Sequence, residues 1–144
     1  MKVTEPKSKE DFDTYYRLRW ETLRQPWNEP EGTEKDESDA DSIHAFIKTE
    51  YGKVIAIGRL HFNNLTESQI RFMGVHPDYR GKNIGGKILE YLEQKAKEKG
   101  AGKVILHARD NAVNFYIRNG YEVVEKSYVL FDTIQHYLMQ KVLK

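Results

Sequence analysis

Apolar positions along this chain recur with a period that changes several times, and each change marks an element. Phe12, Tyr15, Tyr16, Leu18, Arg19 and Leu23 fall at roughly helical spacing behind the cap residues Ser8 and Asp11, which predicts a helix over about residues 9–24. Residues 1–6 before it read as a short edge strand closed by Pro6, and Pro26 and Pro30 end the helix. Residues 43–48 and 53–62 favour strand, with Tyr51 and Gly52 as a hairpin turn; a second turn at Asn63 and Asn64 leads to a third strand at about 67–76. These three strands form an antiparallel meander. Further on, Ile84, Ile88, Leu89, Leu92 and Ala96 make one helical face, while Lys87, Glu90, Glu93, Lys97 and Glu98 make a solvated one. Gly100 and Gly102 close that helix. Val104, Ile105 and Leu106 form a short buried strand, parallel to the central one because a helix connects them. Residues 109–121 read as a capped short helix stopping at Gly120, and residues 134–143 as a last strand returning to the sheet.

The most informative stretch runs from Ile70 to Leu89. An apolar strand stops at Pro77, which cannot donate to a ladder, and Gly81, Asn83, Gly85 and Gly86 let the backbone turn sharply before the helix. Such a turn can cradle a phosphate, because the first helix amides lack intrahelical partners and sit at the positive dipole end. A P-loop would need Gly-Lys-Ser/Thr, which is absent, and the glycine spacing does not fit a dinucleotide fingerprint. Arg80-Gly81-Lys82-Asn83-Ile84-Gly85-Gly86 instead resembles the Arg/Gln-x-x-Gly-x-Gly/Ala loop of the GNAT superfamily of N-acetyltransferases, with Asn83 replacing one glycine. Asn is the residue besides glycine that best tolerates a left-handed backbone. The lead-in Val75-His76-Pro77-Asp78-Tyr79 is also typical of that superfamily.

A second block supports the resemblance. Ala112, Tyr116, Gly120 and Tyr121 match the superfamily pattern Asn-x-x-Ala-x-x-x-Tyr followed by Gly-Phe, although Arg109 occupies the Asn slot and Asn111 lies two positions late. The resemblance implies an α/β fold of the α+β kind: a mixed, mostly antiparallel sheet with two central splayed parallel strands and helices on both faces, the whole of 1–144 being one domain. Acetyl-CoA is the implied co-substrate. Its pyrophosphate would sit on Arg80, Gly81, Lys82, Asn83, Ile84, Gly85 and Gly86, and its pantetheine arm along the backbone of Met73 and Val75, with either Arg109 or Asn111 contributing. The backbone amide of Val75 or a neighbour is the implied donor to the thioester oxygen. Tyr116 matches the general acid, and the acceptor is a primary amine of a small molecule, peptide or protein.

The general base is left open. Counting back from Val75 puts Gln69 where histone-type members carry a glutamate, and glutamine takes no proton. Among the histidines, His107 reads as structural and His76 as exposed, leaving His61, His44, His136 or a water. No two histidines have the spacing of a metalloprotease helix, so no metal is expected.

Composition narrows the rest. With 23 Lys and Arg against 22 Asp and Glu, a formal net charge of +1 argues against nucleic acid or an anionic membrane as partner. The absence of cysteine excludes a disulfide framework, a thiolate zinc site and a Cys nucleophile. No apolar signal core or membrane-length run is present, so a cytoplasmic protein is expected, with a homodimer left open. The segment from Glu29 to Asp41 carries seven acids against Lys35 alone. It reads either as a solvated loop or as the border of a site for a cationic acceptor. Two alternatives to a working enzyme are a catalytically silent acyl-CoA sensor and an interaction module using that acidic segment.

Overall fold

Alternation along the second strand decides which helix covers which face. In β2 (Ile43–Lys48), Ala45 and Ile47 join one hydrophobic cluster and Phe46 another, with both faces buried. The computed structural model describes residues 1–144. The other strands are β1 (Val3–Thr4), β3 (Val54–Phe62), β4 (Glu67–Val75), β5 (Lys103–Arg109), β6 (Glu122–Leu130) and β7 (Ile134–Val142), and the helices α1 (Lys9–Leu23), α2 (Ile84–Glu98) and α3 (Val113–Arg118). One seven-stranded sheet has the order β1-β2-β3-β4-β5-β7-β6. Every pair in it is antiparallel except β4 with β5.

Helix α1 lays Tyr15 and Leu18 on Phe46 and Ile57. Helix α2 lays Ile84, Ile88, Leu89, Leu92 and Ala96 on Ala45, Ile47, Ala56 and Leu60, so the two helices cover opposite faces, as the resemblance implies. Strand β5 is longer than the apolar run 104–106 suggests. Only Val104, Leu106 and Ala108 are fully buried there, and the strand continues through His107 and Arg109, whose side chains face the other way. Helix α3 follows a 3-10 turn at Asp110–Ala112 and has no side-chain cap, contrary to expectation. No helix is long and apolar enough to cross a membrane.

The parallel pairing is short. It joins Glu67 to Lys103, Ser68 to Val104 and Gln69 to Ile105, and beyond these the two strands part. Beside the parting point β4 bulges, with Phe72 and Met73 between the registered pairs Arg59↔Arg71 and Ile57↔Gly74, opposite Gly58 alone. A bulge bends and twists its own strand. Here it puts Phe72 at φ 57°, a left-handed conformation that costs a side-chain-bearing residue about 1–2 kcal/mol. Gly58 is needed opposite it, since a Cβ there would lie 2.6 Å from Ile88 Cγ2 and 2.7 Å from Met73 Sδ. The Phe72 ring is gripped by guanidinium groups: those of Arg19, Arg71 and Arg59 lie 4.2, 4.7 and 4.8 Å from its centroid.

Those arginines draw in the acidic segment. Asp39, nearly buried, accepts from Arg19 at 2.9 Å and Arg59 at 3.0 Å; Asp36 accepts from Arg59 at 2.6 Å and Arg71 at 3.2 Å. Glu34 is buried and accepts from the Gly32 amide at 2.7 Å, and Glu31 pairs with Arg17. The reading of this run as a solvated loop or a free carboxylate border therefore does not hold for Glu34, Asp36 and Asp39, while Glu31, Glu37 and Asp41 are exposed. Its central acids are internal counter-ions that staple the α1–β2 connection to β3 and β4.

Candidate active site

Where β4 and β5 part they enclose a cavity of about 110 Å³, with Met73, Ala112 and Tyr116 in its lining beside Arg71, His107 and His136. Tyr116 and His136 each present a free functional atom in this cavity. Tyr116 is buried on α3, packed edge-on against Phe115 and Tyr121, and its hydroxyl has no protein partner. Burial pushes that hydroxyl well above the usual phenol range, Arg109 opposing only in part, so it stays protonated. His136 is the second. Its Nδ1 lies 3.0 Å from the Ile134 carbonyl, which can only accept, so Nδ1 carries the hydrogen and Nε2 keeps its lone pair. Tyr128 stacks on the imidazole at 4.4 Å, fixing its plane. Burial lowers the His136 pKa; the Ile134 hydrogen bond works against this and Arg109 with it, which holds the ring neutral.

The other two histidines considered as bases are engaged elsewhere. His44 has Tyr15 Oη at 2.8 Å from Nδ1 and the Asp39 carbonyl at 2.7 Å from Nε2, under α1. His61 has Arg59 Nη2 at 3.1 Å from Nδ1 and Asn63 Oδ1 at 3.2 Å from Nε2. Neither lines the cavity. Gln69 is also outside it: its Oε1 accepts from Asn63 at 3.1 Å, where the two parallel strands are still paired. His107, read from the sequence as structural, instead lines the cavity, and its buried Nδ1 has no partner. The sequence signal was the period-two alternation of residues 103–109, which sets His107 and Arg109 on the face opposite Val104, Leu106 and Ala108.

Arg109 and Asn111 separate cleanly. Arg109 lines the cavity, donates from Nη2 to the Leu23 carbonyl at 3.2 Å and lies 4.3 Å from the Trp27 ring centroid. Asn111 is exposed, makes no side-chain hydrogen bond and is not part of the lining.

The glycine-rich loop lies between β4 and α2. None of the amides from Gly81 to Gly86 donates to an acceptor of the protein, so six consecutive N–H groups are free at a helix N-terminus. Asn83 adopts φ 57° as the N-cap, the left-handed conformation expected of it. Arg80 Nε donates to the Val75 carbonyl at 3.0 Å, tying the loop to the end of β4, and Lys82 Nζ sits 5.5 Å from the Tyr79 ring centroid. Ile84 is buried in the core, so only its backbone is available to a ligand. Gly85 serves packing as well: a Cβ there would lie 3.0 Å from Phe115 Cζ and 3.5 Å from Val75 Cγ2.

The strand-loop-helix with six unsatisfied amides lies beside a sheet that splits at one parallel pair, and a family model covers both. The model of the acetyltransferase (GNAT) family aligns with residues 12–121. The chain belongs to the GNAT family. Among GNAT relatives it is 29% identical over 141 residues to the uncharacterised N-acetyltransferase YjcF of Bacillus subtilis (strain 168), covering 98% of this chain and 99% of that one. Two solved structures share the fold. An acyl-CoA N-acyltransferase from Pseudomonas aeruginosa superposes with a TM-score of 0.81 at 22% identity, covering 98% and 97% of the two chains. An aminoglycoside 6'-N-acetyltransferase complexed with coenzyme A gives 0.81 at 13% identity, covering 99% and 97%.

Proposed function

We propose that this GNAT protein transfers an acetyl group from acetyl-CoA to a primary amine by direct attack, with both substrates bound in the β4–β5 cleft. The observation that carries this reading is that the cleft holds an uncommitted phenol, Tyr116, and an uncommitted imidazole nitrogen, His136 Nε2. A silent sensor would have no use for that pair.

Acetyl-CoA supplies the acetyl group as a thioester. The residues fit it: the free amides of Gly81 to Gly86 suit the pyrophosphate, and the unpaired β5-facing edge of β4 from Ile70 to Val75 can pair with the pantetheine amides as a surrogate strand. The backbone of Met73 and Val75 lies along that edge, and an amide there can meet the charge developing on the thioester oxygen. Lys82 and Arg80 add charge around the loop. Arg109 is the member of the pair Arg109 and Asn111 that reaches the cavity. His136 Nε2 accepts the proton that the attacking amine must lose, and Tyr116 donates one to the departing sulfur. Its raised pKa keeps Tyr116 in the donating form, while burial keeps His136 in the accepting form.

Tyr116→Phe tests this. It removes the hydroxyl and keeps the ring, so kcat should fall by about tenfold to a thousandfold with acetyl-CoA affinity unchanged by calorimetry. Full turnover would return Tyr116 to a packing role.

A further inference from the structure

Beneath the end of α1 the cleft holds more positive charge than the chain neutralises. Arg24, Arg71 and Arg109 line the cavity, and no Asp or Glu does. Arg71 shares Asp36 with Arg59. Arg24 and Arg109 have no carboxylate partner. Arg24 donates Nε to the Thr33 carbonyl at 3.1 Å and Nη1 to the Leu23 carbonyl at 2.9 Å, and Arg109 donates Nη2 to the same Leu23 carbonyl at 3.2 Å. Leu23 is the last residue of α1, so it offers the negative end of the helix dipole, about half a charge against two whole ones.

The two guanidinium groups are held in place by rings. Arg109 stacks near Trp27, and Arg24 sits 5.7 Å from the Phe72 centroid and 5.5 Å from the Phe131 centroid. Arg24 is 8% exposed. Burial lowers the pKa of both, and like charge lowers it further, Arg71 acting on Arg24 and Arg24 on Arg109. Glu29 raises the Arg24 pKa less than Arg71 or Arg19 lowers it, and forms no ion pair with it. The contrast with Arg19 and Arg59 is direct, since there the chain supplies Asp36 and Asp39. Holding charged groups out of water without a counter-ion is costly, and a planar guanidinium fork matches a carboxylate or phosphate bidentately. Arg109 keeps Nε and Nη1 without a protein partner, and either of them completes such a fork with the second hydrogen of Nη2.

The geometry points to an acceptor amine that carries its own anionic group, a carboxylate or phosphate held by Arg24 and Arg109 while the amine faces His136. This rests on the acetyl-transfer reading and reverses the cationic acceptor suggested by the acidic run from Glu29 to Asp41. In the step itself the amine nitrogen bonds to the thioester carbon, the carbon–sulfur bond breaks, the amine proton goes to His136 and the sulfur takes a proton from Tyr116.

The test is acetyl transfer by the full chain to amino acids of increasing amine-to-carboxylate length, each compared with its carboxamide. The panel adds 2-aminoethyl phosphate and 1,4-diaminobutane. At least one anionic amine should exceed its uncharged partner about tenfold or more in kcat/KM, and whether carboxylate or phosphate leads identifies the anion. Arg24→Gln should lower kcat/KM for that acceptor about thirtyfold or more and change its uncharged partner little, with acetyl-CoA affinity retained. Arg24→Lys, which keeps the charge and loses the fork, should fall between. Turnover that prefers 1,4-diaminobutane, or shows no preference, overturns the inference and leaves the transferase reading standing. A preference for succinyl-CoA over acetyl-CoA with uncharged amines, lost in Arg24→Gln, would assign the anion to the acyl group and overturn the acceptor assignment. No turnover with any amine, in protein that binds acetyl-CoA, overturns the transferase reading and this inference with it.

Discussion

Asp39 shows how much one side chain organises here. It neutralises Arg19 and Arg59, both fully buried, and its own carboxyl, which burial alone would raise, is brought below the usual range by the Asp36 amide and then by Arg19 and Arg59. Asp39→Ala leaves the interior Arg19 with no carboxylate and Arg59 with only Asp36, which Arg71 also uses, and should destabilise the protein by about 3–5 kcal/mol in urea unfolding. A loss under about 1 kcal/mol would mean that water or Asp36 compensates. None of this was legible in the sequence, because the partners of Asp39 lie 20 positions away on either side and the acids around it look solvated. The histidines were equally opaque. Their number and positions were readable, but only their partners separate His44 and His61, which are engaged at both nitrogens, from His136 with a free Nε2.

At the scale of elements, strand β4, the loop and α2 were legible because every signal is local: Pro77 ends the strand, glycines cluster, and the apolar period changes from two to three or four within a few residues. The bulge at Phe72 was not. Phenylalanine does not announce a left-handed backbone, and what holds it there comes from α1, β3 and β4 at once. Gly85 lets the loop turn towards a phosphate, and it also seats Phe115 of α3 against α2. Gly85→Ala should therefore cost about 1–3 kcal/mol of stability by overpacking, and loosen the α3 segment that carries Tyr116. Thermal unfolding and kcat read the two effects separately. Wild-type values for both would mean that Phe115 moves aside freely.

For the molecule as a whole, acid should be the weak side. His44, His61, His107 and His136 all have pKa values lowered chiefly by burial, so the unfolded chain binds protons that the folded one resists. The lowered Asp39 works in the same direction at lower pH, its contribution being lost as pH falls through its folded-state pKa. Stability should be level above about pH 7 and decline as pH drops through the ordinary histidine value of about 6.5. Urea midpoints between pH 8 and pH 5 check this, and a flat profile would show that the histidines protonate in place without strain.

If the cleft handles protons through His136 and Tyr116, the pH dependence of kcat/KM must differ between wild type and His136→Gln. The wild type should show a limb that falls on acidification through a group titrating below about 6.5, where His136 Nε2 takes up a proton and can no longer serve as base. In His136→Gln that limb should disappear and the plateau drop by about 10²–10⁴, leaving only the alkaline rise as the free amine becomes available. A variant with the wild-type limb and plateau would mean that His136 is not the base.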